Sequence, residues 1–145
     1  MNISQDQIDG FVKRIDSLDP NLEPKFGQMN VHQMVCHCTD FFRMAMGTMK
    51  AEEYGVLDPQ EVVAMVRAGK SAPTPKGFGQ VEGQGTAPTD FEDDKKQLKE
   101  HLQSFANLAD DYQFAEHPIF GIMSTKEWID LSNYHLNHHL KQFGV

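Results

Sequence analysis

Cysteine is nearly absent: Cys36 and Cys38 are the only two thiols. That excludes a disulfide scaffold and fits a compartment where thiols stay reduced. Residues two apart on a helix point to opposite sides, so this pair could neither bridge nor share one metal. Positive charge is also scarce. Lys plus Arg number 13 against 21 Asp plus Glu, a net charge of −8, and no basic cluster stands out. Affinity for phosphate backbones needs such a cluster, so no nucleic-acid partner is expected. No run approaches the ~18 apolar residues of a membrane span, so no membrane partner is expected either. The start, Met1-Asn2-Ile3-Ser4-Gln5-Asp6-Gln7, is polar and acidic, without the basic and apolar stretches of a signal peptide. A cytoplasmic location follows as an expectation. What is present is 145 residues, 39% hydrophobic and 23% charged. That predicts one domain over 1–145, of a size that removes about 68–70% of its unfolded surface from water.

Helix starts can be read from small polar residues followed three positions later by Glu or Gln. Five such pairs occur: Ser4/Gln7, Asn30/Gln33, Asp58/Glu61, Thr89/Glu92 and Ser124/Glu127. Each precedes an apolar pattern of helical period. The spacing predicts long helices over 4–18, 30–50, 89–110 and 124–143, and a short one over 58–68. The stretch 69–88, rich in glycine and proline, breaks the pattern. It reads as a long ordered loop, a mobile flap or a plain surface crossover. Connections between the first and second and between the third and fourth long helices are short. That between the second and third is long, some 38 residues (51–88). The expected fold is therefore all-α: an up-down-down-up four-helix bundle, with a short helix and a Gly/Pro-rich loop forming the crossover between the second and third long helices. Gly77-Phe78-Gly79 lacks the preceding strand and following helix that a phosphate loop needs. Most of the eight methionines and ten phenylalanines fall on core stripes; Met44, Met46 and Met49 could instead line a pocket or a dimer contact.

Histidine is the informative residue. Of seven, five fall within 32–37 and 135–139. On the wheel of the last helix, Trp128, Ile129, Leu131, Leu136, Leu140 and Phe143 span one apolar arc. His135 and His139 sit near its middle, one turn apart, and His138 lies at its edge. Two imidazoles on a core face need hydrogen-bond partners or a shared ion. A His pair at i, i+4 offers two nitrogens to one metal, as in zinc proteases, but Leu136 stands where the protease glutamate would be. A third ligand would come from His37, His32, His101 or His117. His32 reads as exposed, and His117, before Pro118, as structural. Wheel geometry leaves His37 and His101 level. The alternative is a set of core-edge histidines bonded to tyrosine, asparagine or backbone. Asp40 and Tyr134 fall on polar faces, where solvated roles are expected.

The tail Tyr134-His135-Leu136-Asn137-His138-His139-Leu140-Lys141-Gln142-Phe143-Gly144 resembles the last helix of DinB-superfamily proteins. That helix ends in a His, three residues, a second His and a nearby Gln. Asn30-Val31-His32-Gln33-Met34-Val35-Cys36-His37 resembles that family's second helix, whose ligand His follows a Gln-Met-like pair. The turn His117-Pro118-Ile119-Phe120-Gly121, with Ser124-Thr125-Lys126-Glu127-Trp128 after it, is similar to a subfamily of unknown function. The resemblance spans about residue 25 to the end. It implies the up-down-down-up bundle and a metal triad on His37, His135 and His139, with His37 preferred over His101. It also implies a divalent transition metal, zinc or nickel first. Characterised relatives include transferases and isomerases that use low-molecular-weight thiols, and relatives are often dimers.

Two functions are then expected to compete. One is a metal-dependent enzyme acting on a small molecule with a low-molecular-weight thiol. Three neutral His ligands leave an open coordination position at which a thiol or water loses its proton more easily. The other is a non-enzymatic, stress-related binding protein, dimeric or not, with a structural metal or none. No catalytic residue beyond the ligands is fixed by the sequence.

Overall fold

The computed structural model describes residues 3–145, which form five helices in the order α1 (Gln5–Asp16), α2 (Val31–Ala45), α3 (Pro59–Arg67), α4 (Phe91–Ala106) and α5 (Thr125–Gln142). The described residues hold no strand, so the all-helical expectation holds. α2 packs against α4 and α5, and α1 against the same two, giving a helical bundle. α3 packs on none of them.

The helix starts follow from local chemistry. Ser4 with Gln7 and Asn30 with Gln33 form reciprocal capping boxes. Asp58 caps α3 ahead of Pro59, where a missing N–H costs nothing. Ser124 accepts from Glu127 N at α5. α4 corrects the expected start: Asp90, not Thr89, is its N-cap, and its side chain accepts from Asp93 N. α4 also ends at Ala106, four residues before the predicted stop at Asp110.

α2 likewise ends at Ala45 rather than near Lys50. The cause is Gly47, at φ +76°. There Gly47 N donates to Met44 O at 3.1 Å and Thr48 N to Arg43 O at 2.9 Å. These two bonds close the helix end around a left-handed residue that only glycine adopts cheaply.

Phe42, Phe105, Leu98, Leu136, Leu140 and Trp128 are buried at the centre. Each of the aliphatic and phenylalanine side chains contributes about 1.5–3 kcal/mol by leaving water. Met44 is buried, and Met46 and Met49 are partly buried against the same core.

The second half of the Gly/Pro-rich segment, 77–86, is anchored, which favours the ordered-loop reading there. Its tether is Asp40, which is fully buried rather than solvated as its wheel position implied. The Asp40 carboxylate accepts from Thr86 N at 2.8 Å, Thr86 Oγ1 at 2.6 Å and Arg43 Nη1 at 2.9 Å. Gln80 Nε2 donates to Thr86 O at 2.8 Å, and Gln84 Oε1 accepts from Gly77 N at 3.0 Å. A carboxylate can be buried there because three donors replace its water. Truncation would leave those donors stranded. Asp40→Ala should therefore destabilise the protein by about 3 kcal/mol. Hydrogen exchange should accelerate at the amides of 77–86 before it does in α2. Wild-type protection of that segment in the variant would contradict the anchor.

Candidate metal centre

α2 delivers one imidazole and α5 two, because His135 and His139 are one turn apart. His37 Nε2 lies 3.0 Å from His135 Nε2 and 3.1 Å from His139 Nε2. The structure thus brings His37, and not His101, to the pair. His101 is on α4 and turns back on its own helix, Nδ1 to Gln97 O at 2.7 Å.

The protonation state of His139 can be traced through its neighbours. Gln142 Nε2 donates to Phe26 O at 2.9 Å, which orients the amide. Its Oε1 therefore faces His139 Nδ1, at 3.0 Å. An amide oxygen only accepts, so Nδ1 carries the proton and Nε2 presents a lone pair to the other two rings. Gly27 makes room for this link: a Cβ there would overlap Gln142 Nε2.

All three rings resist protonation. Burial, then the proximity of His138, pushes His37 down to about 4. Burial, then His37, pushes His139 down to about 3. Burial, then His139 and His37, holds His135 well below its ordinary value. A proton on His37 Nε2 can face both other nitrogens only as a divided, weaker bond. One cation answers all three. Nitrogens bound at about 2.0–2.1 Å to one tetrahedral ion stand about 3.3 Å apart, close to the 3.0 and 3.1 Å that separate His37 Nε2 from the other two. The three residues therefore fit a divalent transition metal, and neutral imidazole is the form such ions take.

The triad opens on a cavity of about 700 Å³. Phe41 and Met44 of α2, Val62 and Val66 of α3, and Phe78 of the anchored loop contribute apolar wall. Phe41 also stacks on His135, with centroids 4.5 Å apart. His138, at the cavity edge, stacks with Tyr134, which is 47% exposed.

His117 is buried and has the structural role expected of it, its Nδ1 accepting from Ile119 N at 3.0 Å and Phe120 N at 3.2 Å. It also lines the cavity, which its position before Pro118 did not reveal. His32 is not free, as its wheel position implied. Its Nε2 donates to Asp94 Oδ2 at 2.6 Å, and Cys36 Sγ approaches the same oxygen at 3.7 Å. His32, Cys36 and Asp94 could also gather round an ion. Their mutual hydrogen bonds already satisfy them, and burial, then Asp94, pushes the Cys36 thiol up to about 12.

The family model of the DinB superfamily matches residues 2–143, so the chain belongs to that superfamily. No curated protein and no solved structure matches the chain.

Two outcomes follow from this geometry. Replacing Gln142 by leucine removes the acceptor that fixes the His139 tautomer while keeping most of the volume. Affinity for zinc should fall about 10–100-fold, measured by competition with a chromogenic chelator. Unchanged affinity would contradict the orienting role. The second outcome concerns pH. His37, His139 and His117, the last pushed down to about 4 by burial, titrate in the fold below their ordinary 6.5. The unfolded chain therefore takes protons first. The stabilisation from burying neutral rings is complete above about pH 6.5 and is lost as pH falls through that value toward about 4. Thermal unfolding in chelator should show a midpoint that drops from pH 7.5 to 4.5. A flat midpoint would contradict neutral burial.

Proposed function

We propose that this protein is a metal-dependent enzyme of the DinB-like type. His37, His135 and His139 serve as ligands of one divalent transition ion, zinc or nickel first. The reaction proposed is transfer of a low-molecular-weight thiol to a small electrophile. One observation carries the reading: the three nitrogens converge on the wall of a 700 Å³ cavity rather than inside a sealed core. Structural metal sites are closed, whereas catalytic ones keep an open position. The non-enzymatic reading would use the cavity to bind a ligand but gives the open side of the triad no task.

Bound at the triad, the ion supplies Lewis acidity that lowers the pKa of a thiol or water. The chain's own residues do the rest. Gln142 fixes His139 so that its lone pair faces the centre. Phe41 stacks on His135 and holds that ring in place. Phe78, Val62 and Val66 exclude water beside the reacting atoms. In the transfer itself the thiol proton goes to solvent, sulfur forms a bond to the electrophilic carbon, and the leaving group departs with its electron pair.

The test is turnover by zinc- or nickel-loaded protein with cysteine or glutathione and 1-chloro-2,4-dinitrobenzene, compared with His37→Ala. The expected result is a rate above the uncatalysed one that falls at least 100-fold in the variant, with a melting midpoint close to wild type. No turnover, or loss of fold together with the metal, would favour the structural-metal reading.

A further inference from the structure

Beyond the triad, the cavity holds a second built polar feature. His117 is 6% exposed, and its ring packs against Phe120 and Trp128 at centroid distances of 4.9 and 5.6 Å. Its turn is closed in both directions, His117 N to Gly121 O at 2.8 Å and Gly121 N to His117 O at 2.9 Å. The ring is therefore fixed. Nδ1 accepts two backbone N–H bonds, so it carries no proton. The neutral imidazole must hold its proton on Nε2. Among the described residues none accepts from that N–H, although the ring lines the cavity. The N–H is not sealed in protein, since Trp128 Nε1 is the only buried partnerless side-chain atom among the described residues, so it is open to an acceptor in the cavity.

α3 supplies further apolar wall. α3 packs on no other helix, and it turns Val62, Val63 and Val66 to the cavity. A volume of about 700 Å³ lies within the 300–1,000 Å³ of small-molecule sites, which combine apolar walls with few orienting polar groups.

We propose that this cavity binds a small molecule with an apolar body and a carbonyl-type oxygen that accepts a hydrogen bond from His117 Nε2–H. Its apolar body lies under α3. The proposal rests on reading the cavity as a substrate site, yet it requires no ion. His117 is here a recognition residue, held ready before the ligand arrives, so little ordering cost is added on binding.

The test uses two probes of equal size, 2-acetylnaphthalene and 2-isopropylnaphthalene, which differ in the carbonyl oxygen. Both are titrated into the full chain as purified, after chelator treatment, and as the His135→Ala/His139→Ala variant. The ketone should bind about fivefold more tightly in all three, the size of one net hydrogen bond. His117→Asn keeps an acceptor for the turn amides but has no donor long enough to reach the ligand, and should remove the ketone's preference or reverse it, because the unpaired oxygen then leaves water at a cost. Val66→Trp fills the cavity and should weaken both probes at least tenfold. Long-range proton–nitrogen spectra should show His117 as the Nε2–H tautomer, with its Nε2 signal moved by the ketone and not by the hydrocarbon.

Equal binding of the two probes, an unchanged ratio in His117→Asn, or an Nδ1–H tautomer would overturn the proposal. If His117→Asn fails to fold, the tautomer and the Nε2 shift in the wild type decide. A ketone preference that vanishes with chelator, without an Nε2 shift, would assign the oxygen to the ion and refute the role of His117 alone. A preference that survives in protein unable to hold metal would support His117 even if the metal reading fails.

Discussion

The register between α2 and α5 places His37 Nε2 against those of His135 and His139, and the rest of the open end of the bundle is arranged around that contact. Three imidazole nitrogens within 4.8 Å of one another, two of them about 3 Å from His37 Nε2, are a poor match for an apolar helix face. Each ring is held neutral by burial, and at least one lone pair points inward by the hydrogen bond to Gln142. Such an arrangement is costly without a cation and favourable with one. The proposed ligand role accounts for that cost, because a leucine at any of the three positions would bury without it.

The same helix supports the site in a second way. Asp40 lies one turn beyond His37 and binds the loop that carries Phe78, a wall of the cavity. A displacement of α2 would therefore disturb a triad ring and the cavity wall together. α3 has no such tie to the bundle helices. It covers the cavity through its apolar side and is held by the chain at its two ends, where Gly55 N donates to Pro118 O and Glu52 N to Lys76 O, each at 2.9 Å. The three imidazoles thus lie on one part of the cavity wall and the apolar side of α3 on another.

Much of this was legible in the sequence. Ser4, Asn30 and Ser124 announced their helices because N-capping is a local transaction between neighbours. The i, i+4 spacing of His135 and His139 put two ligands on one face for the same reason. Local rules failed where distant chain decides. A wheel assigned Asp40 to solvent because it sees one helix, whereas Thr86, 46 residues away, arrives to bury it. His32 was misplaced for the same reason, its partner Asp94 lying 62 residues on. The choice of His37 over His101 required either the family resemblance or the packing of α2 on α5. Gly47 was the readable signal missed: a glycine after an apolar run marks a helix end, and it shortens α2 by a turn.

The central claim is that the three nitrogens hold one ion, and metal content tests it most directly. Untagged protein purified without chelator, assayed by mass spectrometry beside His135→Ala/His139→Ala, should carry close to one first-row transition ion per chain, absent from the variant. No metal in either protein, together with failure to load zinc or nickel in vitro, would contradict the account and leave the three histidines as packing groups of a helical bundle.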